Sequence, residues 1–170
     1  MTIALRPMRV ADVALLGRWD LDPDVTAAIG GPGAEWYDWP VELSRAVAWR
    51  ELLIAVETRD RTASRPVGFV QLLDAVDDES HYWGDVEPRT WSLDIWIGDR
   101  ADRGRGLGTR IMQAAIERVF DHHGAESIVI DPLVTNERAI SFYRRLGFSP
   151  VGERDIDGDR CLVMRLDRTS

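Results

Sequence analysis

A chain of 170 residues, 45% hydrophobic and 29% charged, can bury one ordinary core and is too apolar for wholesale disorder, so a single domain over 1–170 is expected. A net charge of −8 argues against a nucleic-acid binder, which needs a basic face to displace counterions, and suits a cationic partner. The single cysteine, Cys161, excludes an internal disulfide, and no Cys/His spacing resembles a zinc site, so no metal is expected.

All 21 basic residues are arginine, which excludes a Schiff-base lysine and the lysine of a Walker loop. The opening MTIALRPMRVADVALL lacks the basic-then-apolar order of a signal peptide. No run of about 18 apolar residues exists to span a bilayer, so no membrane partner and a cytoplasmic address are expected. TIALRPM alternates as a first strand, and Asp12 opens DVALLGRWDLD at helical spacing. Pro23 to Pro40, rich in Gly, Trp and acidic residues, reads as loop or short helical pieces, and ELSRAVAWR adds a turn or two of helix. ELLIAVET and PVGFVQLLDA are two strands joined by the polar loop RDRTASR.

The segment VDDESHYWGDVEP is acidic and turn-like. TWSLDIWIG then alternates, with Trp91, Leu93, Ile95 and Ile97 on one side and Asp94 on the other. After the glycines of DRGRGLG, Leu107, Ile111, Ala115 and Val119 recur every four residues as the seam of an amphipathic helix. His122 and His123 fall in its last turn, and Gly124 stops it. SIVID is a short buried strand, TNERAISFYRRLG a helix ending at Gly147, and FSPVGERDIDGDRCLVMRL two strands turning at DIDGD. The order β-α-loop-β-β-β-α-β-α-β-β implies a mixed α/β sheet.

A strand, a glycine loop and a helix start around Gly106 to Thr109 place free backbone N–H groups at the positive end of a helix dipole. Arg103 and Arg105 add donors, and pyrophosphate is a natural guest. Taken alone, the same three glycines serve equally as a connector. The missing lysine rules out the Walker pattern, and G-x-G-x-G is not the dinucleotide G-x-G-x-x-G.

RGRGLG, with Arg103, Gly106 and Gly108, matches the R/Q-x-x-G-x-G/A signature of the GNAT superfamily of N-acetyltransferases, which the chain resembles. NERAISFYRRLGF carries Asn136, Ala139, Tyr143, Gly147 and Phe148 of the superfamily's second pattern. The resemblance implies an α/β (mixed α+β), GNAT-type fold: a central, mostly antiparallel sheet with two splayed parallel strands, flanked by helices. It also implies acetyl-coenzyme A (acetyl-CoA) in the gap between those strands, SLDIWIG and SIVID. Expected cofactor contacts are Ile95, Trp96 and Ile97 on the strand. Arg103, Gly104, Arg105, Gly106, Leu107, Gly108 and Thr109 follow in the loop and helix start, and Asn136 joins them further on. Asn136 reads equally as a helix N-cap.

Within the superfamily the chain looks like the aminoglycoside 6'-N-acetyltransferases. Asp94 lies ten residues before Gly104, Tyr82-Trp83 sit in an acidic loop, and Asp131-Pro132 close a strand. Those enzymes place a tryptophan pair before an early Gly-Gly, whereas here Ala28-Ile29 precede Gly30-Gly31, with Trp36 and Trp39 following. By this resemblance Asp94 orients the attacking amine and accepts its proton, and Tyr143 points its hydroxyl at the departing sulfur. Without it, Asp94 reads as a solvent-face residue and Tyr143 as packing beside Ala139 and Leu146.

Glu79, Tyr82, Trp83, Asp94, Asp131 and Asp157 are the expected substrate wall, carboxylates for ammonium groups and aromatics for sugar faces. The expected partner is therefore a small polycationic amine such as an aminoglycoside, acetylated by a monomer or homodimer whose action confers resistance. Two rivals stand beside this reading. A siderophore-type lysine or hydroxylysine acyltransferase usually carries a histidine where Asp94 stands, and a non-catalytic acyl-CoA-binding module would release no thiol. Cys161, in an apolar strand without an evident base, reads as buried packing.

Overall fold

The computed structural model describes residues 2–28, 37–60, 63–156 and 158–169. Strand β1 (Thr2–Pro7) is followed by a 3-10 turn (Val10–Asp12) and three short helices, α1 (Val13–Trp19), α2 (Pro23–Ala28) and α3 (Trp39–Ser44). Strands β2 (Arg50–Asp60), β3 (Ala63–Asp74) and β4 (Thr90–Ile97) lead to a second 3-10 turn (Arg100–Asp102) and helix α4 (Leu107–Glu117). Strand β5 (Ser127–Ile130), helix α5 (Glu137–Arg145) and strands β6 (Ser149–Ile156) and β7 (Asp159–Asp167) complete the chain. The strands form one mixed sheet in the order β1-β2-β3-β4-β5-β7-β6. Among the described residues no helix is long and apolar enough to cross a membrane.

Contacts group the chain into two compact units, Met1–Gln71 with Ile95–Ala114, and Leu72–Asp94 with Ala115–Ser170. In the first, β1 and β2 pair antiparallel from Thr2↔Thr58 to Pro7↔Leu53. Its core gathers Leu16, Trp19, Trp39, Ile54, Phe69 and Trp96. The Trp39 indole N–H donates to the buried carboxylate of Asp20 at 2.6 Å, tying the end of α1 to the start of α3. Gly98 is glycine because a Cβ there would lie 1.9 Å from the Trp19 ring. Asp12 does not cap α1 as its position before the helical pattern predicts. Its buried carboxylate instead takes both terminal nitrogens of Arg6 at 2.7 Å and the Arg9 N–H at 2.8 Å, so the turn begins at Val10. The expected polar loop RDRTASR is largely strand, since β2 runs to Asp60 and β3 starts at Ala63; a hairpin needs few turn residues.

In the second unit β4 and β5 run parallel, with Thr90↔Ser127, Trp91↔Ile128 and Ser92↔Val129 as their register. β7 lies antiparallel to both β5 and β6. Ala75, Trp83, Val129 and Val163 form a core, with Val86 against it. The helical pattern leading to His123 ends as a π turn over Arg118–His122, and Gly124, at φ +65°, provides the stop. His123 stacks on Trp91 with ring centres 4.0 Å apart. The half-buried alternation expected for β4 is buried on both faces at Trp91, Ser92 and Leu93, because β4 lies inside the sheet.

Candidate active site

The β4–β5 ladder stops at Ser92↔Val129. Asp94, two residues past that last pair on β4, shares a face with Thr90 and Ser92, and Asp131 follows directly on the end of β5, close enough for its charge to act on Asp94. Below them, Thr90 Oγ1 and Ser127 Oγ share a buried hydrogen bond of 3.0 Å. The buried Ser92 hydroxyl has no partner among the described residues. Two carboxylates thus stand where two parallel strands part.

Asp94 is an exposed residue whose carboxylate is nevertheless desolvated by the protein near it. This desolvation, with the like charge of Asp131 as the second cause, pushes its pKa up to about 7. Asp131 is also raised by burial, against the opposing pull of Tyr82 and the positive charge of Arg154. The Tyr82 hydroxyl donates to Asp131 Oδ2 at 2.5 Å. Tyr143, half-buried on α5, has its hydroxyl pKa raised by desolvation and by the fields of Asp94 and Asp131, so it keeps its proton at neutral pH. Four of the expected residues therefore belong to one electrostatic cluster.

The aromatic pair divides its roles. Trp83 is 4% exposed and packs as core, whereas Tyr82 is 39% exposed and meets Trp83 edge-on at 5.4 Å. Glu79 is exposed on the turn after Asp78, whose buried carboxylate is satisfied by Ser80. Asp157, like Gly30, Gly31 and Trp36, lies outside the described residues. Asn136 caps α5, its side-chain oxygen accepting from the Ala139 N–H at 3.0 Å.

Two members of the cluster were not among the expected site residues. Arg154 donates to the Trp83 carbonyl at 3.0 Å and biases Asp131. Cys161 is buried, its thiol pushed up by desolvation and then by Asp131. Counting back from the DIDGD turn would have paired them, since Arg154↔Cys161 is their strand register.

The glycine loop belongs to the first unit. Gly104 and Gly106 adopt φ of +74° and +76°, which side chains disfavour, and a Cβ on either would meet open space. Conformation, not crowding, therefore requires glycine there. Leu107 buries its side chain and seats α4, leaving Gly108 and Thr109 in the first helical turn. An exposed turn of this shape at a helix start fits a phosphate group. Both loop arginines are already paired. Arg103 reaches Asp22 at 2.9 Å, Asp24 at 2.7 Å and the Gly98 carbonyl at 3.2 Å, and Arg105 reaches Asp102 at 2.6 Å. Before the loop, Ile95 and Ile97 are half-buried and Trp96 is core.

Residues 9–156 match the family model described as acetyltransferase (GNAT) domain. Aminoglycoside N(6')-acetyltransferase type 1 of Klebsiella pneumoniae is 30% identical over 88 residues, 51% of this chain and 44% of that protein. Spermine/spermidine N(1)-acetyltransferase of Bacillus subtilis (strain 168) is 32% identical over 78 residues, 46% of this chain and 51% of that protein. The matches thus span only about half the length of these curated relatives. The crystal structure of aminoglycoside acetyltransferase AAC(6')-Ib with coenzyme A and kanamycin superposes with a TM-score of 0.83 at 24% identity, covering 98% of this chain and 95% of that one. That likeness is one of fold. With the family match over most of its length, the chain belongs to the acetyltransferase (GNAT) domain family.

Proposed function

We propose that this protein is an acetyl-CoA-dependent N-acetyltransferase that acetylates an amino group of an aminoglycoside, at the 6' amine. The observation that carries the reading is the carboxylate pair Asp94 and Asp131 beyond the last β4–β5 pair, with Tyr82 and Tyr143 coupled to it. Acetyl-CoA, when bound, supplies an acetyl group activated as a thioester. Backbone N–H groups of Gly104, Gly106, Gly108 and Thr109 would hold its pyrophosphate, and the backbone of Ile95, Trp96 and Ile97 its pantetheine.

An ammonium group is attracted by the two carboxylates, and Asp94, with a pKa near neutrality, accepts its proton so that the free amine can attack. Tyr143, still protonated at neutral pH, would offer its hydroxyl as a hydrogen-bond donor to the thioester sulfur of bound acetyl-CoA. Asp131, fixed by Tyr82, supplies charge for a second ammonium of the same substrate. Acetylation turns an ammonium into a neutral amide, which is how the reaction would confer resistance.

A second reading, acetylation of spermine or spermidine, is favoured by the 32% identity to the Bacillus subtilis enzyme. One assay separates the readings: thiol release from acetyl-CoA with kanamycin, spermine, hydroxylysine or no acceptor. Release with kanamycin, and amide formation at its 6' nitrogen by NMR, is expected. Release with spermine alone would replace the aminoglycoside reading by the polyamine one, and hydroxylysine alone would point to a siderophore-type enzyme. Coenzyme A binding with no release from any acceptor would leave only a binding module.

A further inference from the structure

Four charged side chains of the first unit are linked at the glycine loop. Glu57 on β2 is fully buried, and Asp102, at the end of the 3-10 turn before the loop, is 3% exposed. Arg65 on β3 spans both. Its terminal nitrogens reach the two Asp102 oxygens at 2.5 and 2.6 Å, while Nε and Nη2 reach Glu57 Oε2 at 3.0 and 2.7 Å. Arg105, from inside the loop, pairs with Asp102 Oδ1 at 2.6 Å and approaches Glu57 Oε1 at 3.7 Å. Burial of such carboxylates costs heavily unless they stay paired.

The partners flank Gly104 and lead directly into Gly106, the two loop glycines with positive φ. Asp102 precedes Gly104, and Arg105 stands between Gly104 and Gly106. A turn with two left-handed residues has many alternatives, and an isolated loop would populate them. Anchoring Asp102 and Arg105 to strands β2 and β3 removes that freedom before any ligand arrives.

We propose that Arg65, Glu57 and Asp102 are positioning residues of the coenzyme loop, acting through Arg105 to hold the backbone N–H groups in their phosphate-binding arrangement. Arg105 serves here as a brace and not as a phosphate ligand. The inference rests on the coenzyme reading of the loop given above.

The two roles of Arg105 predict opposite signs. A brace that loses Asp102 lets the loop relax, and anion affinity falls. A phosphate ligand that loses Asp102 is released toward the phosphate, and affinity rises. The test measures dissociation constants of coenzyme A and of adenosine 3',5'-bisphosphate by calorimetry for the wild type, Asp102→Asn, Arg105→Gln and the double variant. Both single variants are expected to weaken coenzyme A about tenfold, and the double variant no more than either alone, because one network is broken once. Turnover is expected to recover at saturating acetyl-CoA, a split that general instability would not produce. Arg65→Gln, at a partly exposed side chain, keeps the test open if Asp102→Asn folds poorly: it cuts Asp102 from β3 without touching Arg105, weaker coenzyme A binding is expected, and unchanged binding would overturn the proposal. As a control, Asp12→Asn breaks another buried ion pair of the same unit and is expected to lower Tm without moving coenzyme affinity. Unchanged or tighter binding in Asp102→Asn, or losses that multiply in the double variant, would overturn the proposal. A wild type that binds no coenzyme A would overturn the coenzyme reading together with it.

Discussion

Asp94 on β4 and Asp131 just past β5 are the same residue type, yet their surroundings differ. Asp131 accepts a hydrogen bond from Tyr82 and feels Arg154, while Asp94 lies near pH 7 through desolvation and the charge of Asp131. The free-enzyme kcat/KM for the amine is therefore expected to rise as pH passes upward through about 7, where Asp94 loses its proton and becomes able to accept one. Asp94→Asn should remove this limb and lower turnover by about 10² to 10⁴. Asp131→Asn removes the second cause of the shift, so the limb should move to lower pH; a limb that stays in place would assign it to another group. Tyr82→Phe deletes only the donor to Asp131 and should raise KM for the amine about fivefold with little change in KM for acetyl-CoA, read by steady-state kinetics.

At the scale of elements, the ends of strands and helices decide where the chemistry stands. Asn136 ends up as the N-cap of α5, and Asn136→Ala should cost about 1 kcal/mol by chemical denaturation. Asn136→Ser keeps a neutral capping oxygen and should keep most of the stability, so a loss of coenzyme affinity in that variant would report a contact beyond the cap. Gly98→Ala drives a Cβ into the Trp19 ring, and about 2 to 3 kcal/mol of destabilisation is expected from overpacking. Most elements are legible in the chain because each carries its own period. Leu107, Ile111 and Ala115 announce α4, and SIVI announces a buried strand. Asp12 was not legible. A carboxylate ahead of a helical pattern looks like a cap, and only the approach of Arg6 from β1 shows its real partner.

Over the whole molecule, a net charge of −8 attracts a polycation from a distance and repels anionic coenzyme A. Raising salt from about 20 to about 300 mM should lower kcat/KM for a polycationic amine about tenfold and leave or improve that for acetyl-CoA, since screening weakens both effects. Stopped-flow or initial-rate measurements at fixed pH check the two slopes. Parallel slopes for both substrates would show that the overall field plays no part.

The seven strands, the two long helical patterns, the glycine turn and the carboxylates Asp94 and Asp131 follow from local periodicity, turn chemistry and motif spacing, which are properties of neighbouring residues. The approach of Asp131 to Asp94, the seat of Trp83 in the core and the pairing of Tyr82 with Asp131 needed the strand register and the packing of distant segments. The same holds for the loop arginines. Their charge is plain in DRGRG, but whether it faces a ligand or the protein depends on Glu57, Asp102, Asp22 and Asp24. Three of those carboxylates lie more than 40 residues away in the chain. A side chain's partner is set by which segments the fold brings within a few ångströms, and no local pattern encodes that distance.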